Sequence, residues 1–213
     1  MRYISKLPFT NIYKEAHFQS EVISQIVYGE TYKVLEKRIN WAKIELDFDA
    51  YTGYVPNNII ESPFEGNLPI YDKLNRNEAI VRTLKQKQKL ASFAHSMLGV
   101  PYVWGGRSTF GVDCSGFVQL CYKEIGIQIP RDAYQQARLG IDITRDFEIF
   151  DLLFFQAHYE KKNKVTHVGI FWEDNQIIHA SGKVRMDKLV EKNIHDGEKI
   201  SHKWLGAQRV LRT

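Results

Sequence analysis

Cysteine is scarce in this chain: Cys114 and Cys121 are the only two in 213 residues. Seven positions apart on one helix, they share a face but stand roughly 10 Å apart along its axis. That separation is beyond disulfide reach, so no redox compartment follows from them, and Cys121 reads as a small buried apolar residue. Long apolar runs are also missing, and no segment approaches the length of a membrane span. The first residues, Met1 to Pro8, hold no apolar run of the signal-peptide kind, which predicts a cytoplasmic protein. No lysine and arginine stripe interleaves with aromatics, so a net charge of +4 does not point to nucleic acid. Repeats and low-complexity segments are absent. What is present, 44% hydrophobic and 25% charged residues, is the composition of an ordinary folded protein, and its length suits one large domain or two small ones.

Two patterns divide the chain. Short strands are predicted at 22–27, 31–35 and 41–46, with another after the turn at Tyr51-Thr52-Gly53, and strands at that spacing suggest a small barrel. Pro63, Gly66 and Pro69 punctuate a connector, whose polar continuation ends near Arg76 and sets the domains at 1–76 and 77–213. Beyond it, Gln86 to Leu98 carries Leu90, Phe93, Ala94 and Met97 at helical spacing, and Gly99 with Pro101 stops the helix. A second helix over 115–125 carries Phe117, Val118, Cys121 and Ile125 as its apolar stripe and Gly126 as its stop. Strands are expected at 152–155, 167–172, 176–180 and 204–211. Helices followed by an antiparallel sheet make an α+β arrangement.

The chemistry concentrates in Val112-Asp113-Cys114-Ser115-Gly116-Phe117-Val118. It places a cysteine at a helix start, where the partial positive charge lowers a thiol pKa. Downstream, His167 sits in Thr166-His167-Val168-Gly169 and His179 in Ile178-His179-Ala180-Ser181-Gly182. A thiol, a base and a polar group that orients the base are the parts of an activated nucleophile. A three-residue loop, Glu173-Asp174-Asn175, would pair Trp172 with Gln176 and so Gly169 with His179. Both histidines then share a face as diagonal neighbours, and Gly169 leaves room for the imidazole; a two-residue loop would separate them. Gly105-Gly106 lacks the lysine and hydroxyl residue of a phosphate loop. His17, His95, His158, His195 and His202 have no supporting context and read as surface or structural residues.

Five ordered motifs between about Ala91 and Leu211 resemble the NlpC-type cell-wall cysteine peptidases: Pro101-Tyr102-Val103-Trp104-Gly105-Gly106, Asp113-Cys114-Ser115-Gly116, Pro130-Arg131-Asp132, Asp151-Leu152-Leu153-Phe154-Phe155 and His167-Val168-Gly169-Ile170. Ser20-Glu21-Val22, Tyr28-Gly29-Glu30, Trp41-Ala42 and Tyr51-Thr52-Gly53-Tyr54 resemble the bacterial SH3-like domain that precedes the catalytic domain in γ-D-glutamyl-L-diamino acid endopeptidases. The resemblance implies an SH3-like barrel followed by a papain-like domain with helices packed on an antiparallel sheet. It makes Cys114 the nucleophile, His167 the base and His179 the residue that orients it, with Tyr102 helping the Cys114 amide hold the oxyanion. Asp113 would meet the free amine of an N-terminal L-alanine, Trp104 and Ser115 would line that pocket, and Tyr51 with Glu21, preferred over Glu30, would close it from the SH3-like domain. Peptidoglycan stem peptides are the implied partners, released peptides above all; neither cofactor nor metal is implied. Ala133 stands where many relatives have serine, and Tyr54 where the barrel usually has tryptophan. Two other readings stand beside this one: Cys114, His167 and His179 as zinc ligands of a hydrolase, and a binding module without turnover.

Overall fold

The computed structural model describes residues 1–60, 62–157 and 163–212. Six N-terminal strands form the first sheet: β1 (Arg2–Ile4), β2 (Phe9–Tyr13), β3 (Val22–Val27), β4 (Thr31–Lys37), β5 (Trp41–Leu46) and β6 (Thr52–Pro56). They run antiparallel in the order β1-β4-β5-β6-β2-β3. Alternation puts Ile12, Ile26, Tyr32, Ala42, Ile44, Leu46 and Val55 into one small core, as the period of two requires. Connector residues Asp72–Lys73 pair in parallel with Ile127–Gln128, and Leu74 lies in the larger core. The chain therefore joins its second domain a few residues before Arg76.

Helix α1 covers Leu84–Ser96, starting two residues before the predicted Gln86. A capping box explains the extension: Thr83 Oγ1 accepts from the Gln86 amide while Gln86 accepts from the Thr83 amide. Helix α2 covers Cys114–Glu124, with Asp113 as its cap and Gly126 (φ +77°) just past its end. A single turn, α3 (Ala133–Gln136), follows. The remaining strands are β7 (Ile141–Ile143), β8 (Leu152–Ala157), β9 (His167–Trp172), β10 (Gln176–Ser181), β11 (Lys183–Val190), β12 (Asn193–Asp196) and β13 (Lys199–Arg209).

These seven strands order as β7-β13-β8-β9-β10-β11-β12, and β12 pairs again with β13. Strands β8 to β13 thus close the expected antiparallel sheet into a barrel. Leu152, Phe154, Val168, Ile170, Ile178 and Ala180 face the helices in the larger core. Leu153, Phe155, Ile177, Leu189, Ile194 and Ala207 form a separate core on the opposite, inner face. The architecture is α+β, with few helices and much sheet.

Candidate active site

Helix α2 presents Cys114 at its first position because Asp113 holds the N-terminus. Asp113 Oδ1 accepts from the Gly116 amide at 2.7 Å, as an N-cap does. The thiol is 7% exposed, at the floor of a cleft of about 730 Å³ whose walls include Glu21, Tyr51, Tyr102, Trp104, Asp132 and Thr166. Its sulfur lies 4.0 Å from the Thr166 carbonyl oxygen, to which it donates. Burial, and then the Asp113 carboxylate, push the thiol pKa up to about 12. The acidification expected from the helix start is outweighed: the resting group is a neutral thiol, so a base must take its proton as it attacks.

The predicted hairpin is present in full. Trp172 pairs with Gln176 and Gly169 with His179, across a turn in which Asp174 and Asn175 adopt positive φ. A Cβ at residue 169 would come within 2.8 Å of the His179 Cβ and 2.6 Å of Ile177. Glycine is what admits the imidazole. His167 Nε2 lies 2.7 Å from His179 Nδ1, and His179 Nε2 lies 2.9 Å from Asp187 Oδ2. Burial is the largest cause that lowers both imidazole pKa values; it takes His167 well below 6.5. Both rings are therefore neutral at pH 7. His202, set aside on sequence grounds, stacks on His167 with ring centroids 4.3 Å apart.

The zinc reading does not fit this arrangement. His167 Nε2 and His179 Nδ1 are spent on one another, and among the described residues no group of three or more His, Cys, Asp or Glu side chains is placed to hold a metal ion.

Both domains build the other end of the cleft. Tyr51 Oη donates to Asp132 Oδ1 at 3.3 Å, and Trp104 Nε1 donates to Glu21 Oε1 at 3.0 Å. Lys14 pairs with the other Glu21 oxygen at 3.3 Å. Burial raises the Asp132 pKa above its usual 3.8. Glu30, the acidic residue passed over for this pocket, is buried with Arg107 and Lys123.

Asp113 lines the same cleft and is held by a network of its own. Its carboxylate accepts from Arg131 Nη1 at 2.9 Å and Nη2 at 2.5 Å, from the Gly105 amide at 3.0 Å and from Ser115 Oγ at 3.3 Å, besides the Gly116 amide. Asp113 is therefore helix cap and counter-ion to Arg131 as well as part of the cleft wall. The carboxylate beside Tyr51 is Asp132, which sequence reasoning quoted in a motif but gave no role. Ser115 belongs to the same network, its hydroxyl accepting from Arg131 at 3.0 Å. Asp187 and Arg131 were likewise missed, since nothing in their local sequence marks their partners.

A buried thiol at a helix start, with linked imidazoles on a neighbouring strand pair, supplies the parts of a cysteine nucleophile. Residues 99–201 match the NlpC/P60 family and residues 12–60 the bacterial dipeptidyl-peptidase Sh3 domain. The chain thus carries an NlpC/P60 domain with a bacterial SH3 domain in front of it. It is 41% identical over 115 residues to the gamma-D-glutamyl-L-lysine dipeptidyl-peptidase of Bacillus cereus, an alignment covering 54% of this chain and 33% of that one. Against the murein DD-endopeptidase MepS/murein LD-carboxypeptidase of Escherichia coli K12 it is 36% identical over 106 residues, covering 49% and 54%. The chain thus spans between a third and about half of these relatives. The crystal structure of an NlpC/P60 family protein from Bacillus cereus shares the fold over the whole of both chains, with a TM-score of 0.75 at 19% identity.

Proposed function

We propose that this chain is a papain-like cysteine endopeptidase hydrolysing the bond between D-glutamate, through its γ-carboxyl, and the diamino acid of peptidoglycan stem peptides that begin with a free L-alanine. One observation carries the reading: the cleft that exposes Cys114 is walled at one end by Glu21 and Tyr51 of the SH3-like domain, beside Asp132. Two carboxylates and a phenol line that cleft, a suitable set of acceptors for one ammonium group. The name of the Bacillus cereus relative supports the same bond.

His167 takes the thiol proton as Sγ attacks the γ-glutamyl carbonyl. The developing oxyanion meets the Cys114 amide, one of the first-turn N–H groups that a helix leaves unpaired, with Tyr102 as the second donor. Protonated His167 then gives its proton to the leaving amine. Water, deprotonated by the same imidazole, releases the dipeptide from the thioester. A stem peptide still attached to glycan has its alanine nitrogen in an amide, so the acidic end would reject it. Released peptides would enter, which is the selectivity that an enzyme of peptide recycling needs.

The test is cleavage of synthetic L-Ala-γ-D-Glu-diamino acid peptide and its N-acetylated copy by wild type and Cys114→Ala. Cleavage of the free-amine peptide alone, abolished by the substitution, is expected. Equal cleavage of the acetylated copy would remove the amine gate and the recycling role, and no cleavage of either would sink the peptidase reading.

A further inference from the structure

The histidine pair does not end at His179. Strand β11 runs beside β10 with Arg185 opposite His179 and Asp187 opposite Ile177. Its inward positions continue to Leu189 in the inner core, so Arg185 and Asp187 lie on the same face as both imidazoles. Asp187 Oδ2 receives His179 Nε2 at 2.9 Å, Arg185 Nε at 2.9 Å and Arg185 Nη2 at 2.7 Å. His179 is fully buried, whereas the Asp187 side chain keeps 21% of its surface and that of Arg185 36%.

We propose that Asp187 is a positioning residue that sets the tautomers of both histidines and thereby leaves His167 Nδ1 bare to receive the Cys114 proton. An ionised carboxylate can only accept, so His179 Nε2 must carry a hydrogen. Neutral His179 then has a bare Nδ1, which accepts from His167 Nε2–H across 2.7 Å. Neutral His167 has its single hydrogen on Nε2. Its Nδ1 is the one ring nitrogen left unprotonated, and among the described residues no hydrogen bond occupies it. Each step follows from the one before it, and all depend on Asp187 being charged. Burial opposes that charge, but the His179 hydrogen bond and Arg185 outweigh it and hold the carboxyl below its usual 3.8. The thiol, resting on the carbonyl of Thr166, is next to the residue it must reach. When the proton passes from Sγ to Nδ1, the positive charge formed on His167 is stabilised through His179 by the same carboxylate.

The inference rests on the peptidase reading for its kinetic arm only. Nitrogen NMR of histidine-labelled protein at neutral pH reports each tautomer without substrate. The expected spectrum shows both His167 and His179 protonated on Nε2 alone. Asp187→Ala removes the acceptor: His179 should redistribute toward the Nδ1–H form, and kcat should fall about 100-fold with KM within about twofold. Asp187→Asn removes the charge and offers an amide N–H that can donate, so it should shift the tautomers and lower kcat in the same direction as Asp187→Ala. A wild-type His167 or His179 protonated on Nδ1 overturns the proposal without any variant. So does Asp187→Ala with unchanged tautomers and kcat within about threefold of wild type. A chain with the expected tautomers that cleaves none of the peptides would instead overturn the peptidase reading and leave the Asp187 assignment standing.

Discussion

Cys114, His167, His179 and Asp187 all come from the C-terminal domain, whereas Glu21 and Tyr51 reach the same cleft from the N-terminal one to meet Trp104 and Asp132. The chemical end is fixed locally: one hairpin register brings the histidines together 12 positions apart. The amine end joins residues 81 and 83 positions apart and exists only when the domains dock. Much of that docking is ionic and buried. Arg107 is fully buried, with its guanidinium on Glu30 at 2.5 and 2.7 Å and its amide on the Gln25 side chain at 2.8 Å. Arg131 is 2% exposed and reaches from Asp113 to Ser24 of the SH3-like domain at 3.1 Å. Gly105 (φ +73°) lets the backbones meet, since a Cβ there would lie 2.4 Å from the Val22 carbonyl oxygen. Such a network sets geometry more than it adds stability, but loss of one partner leaves a buried charge. On the proposed reading, selectivity depends on long-range assembly and bond-breaking on local register.

The sharpest way to break this comparison is Arg107→Met. It leaves Glu30 with Lys123 as its charged partner, which should cost about 3–5 kcal/mol of stability. The preference for the free-amine peptide should shrink with it, while the histidine tautomers stay as in wild type. Thermal unfolding together with the ratio of kcat/KM for free and acetylated peptides reads both effects. A stable variant with an unchanged ratio would show that docking does not depend on this ion pair.

Acid should release the same interface. Burial opposes ionisation of Glu30, but Arg107 and Lys123 hold its pKa down to about 2 from 4.5. The stability it contributes is fully present above pH 4.5 and is lost as pH falls toward 2, because the unfolded chain takes up a proton that the fold excludes. His167 and His179, both lowered below 6.5 by burial, add a loss that begins as pH drops through 6.5. The unfolding midpoint of wild type should decline in both windows, and Glu30→Gln should flatten the lower one. A midpoint that holds steady from pH 4.5 to 2.5 would contradict the Glu30 assignment.

The local end was also the legible one. Glu173-Asp174-Asn175 set the hairpin, Gly169 marked the space for a ring, and Asp113-Cys114-Ser115-Gly116 marked the helix start. What the sequence could not show was closure of the barrel. Strands β11 and β12 carry Val184, Leu189 and Ile194 among charged residues, so no clean alternation announced them, and their pairing with β13 is non-local. Arg185 and Asp187 looked like solvated charges for the same reason. Asp113 illustrates the other limit: its neighbours mark it as a cap, but its counter-ion Arg131 stands 18 residues away.

At the amine end, Asp132→Asn tests whether the carboxylate beside Tyr51 meets the ammonium. Removing one charge while keeping the shape should raise KM for the free-amine peptide about tenfold, near 1.4 kcal/mol, with kcat little changed. The acetylated peptide has no ammonium to lose, so its kcat/KM should not fall. Equal losses on both peptides would instead make Asp132 a structural partner of Tyr51.

Trp104→Phe should have the smallest effect and separates docking from recognition. The indole is 63% exposed, so the substitution removes little packing and chiefly the Nε1–H bond to Glu21. Glu21 keeps Lys14 as a partner, and an exposed hydrogen bond is worth about 0.5–1 kcal/mol. KM for the free-amine peptide should rise about threefold, and the unfolding midpoint should stay within about 2 °C of wild type. If the midpoint falls as far as in Arg107→Met, Trp104 is part of the docking network. The two ends of the cleft would then share one support, and the separation between selectivity and chemistry would not hold.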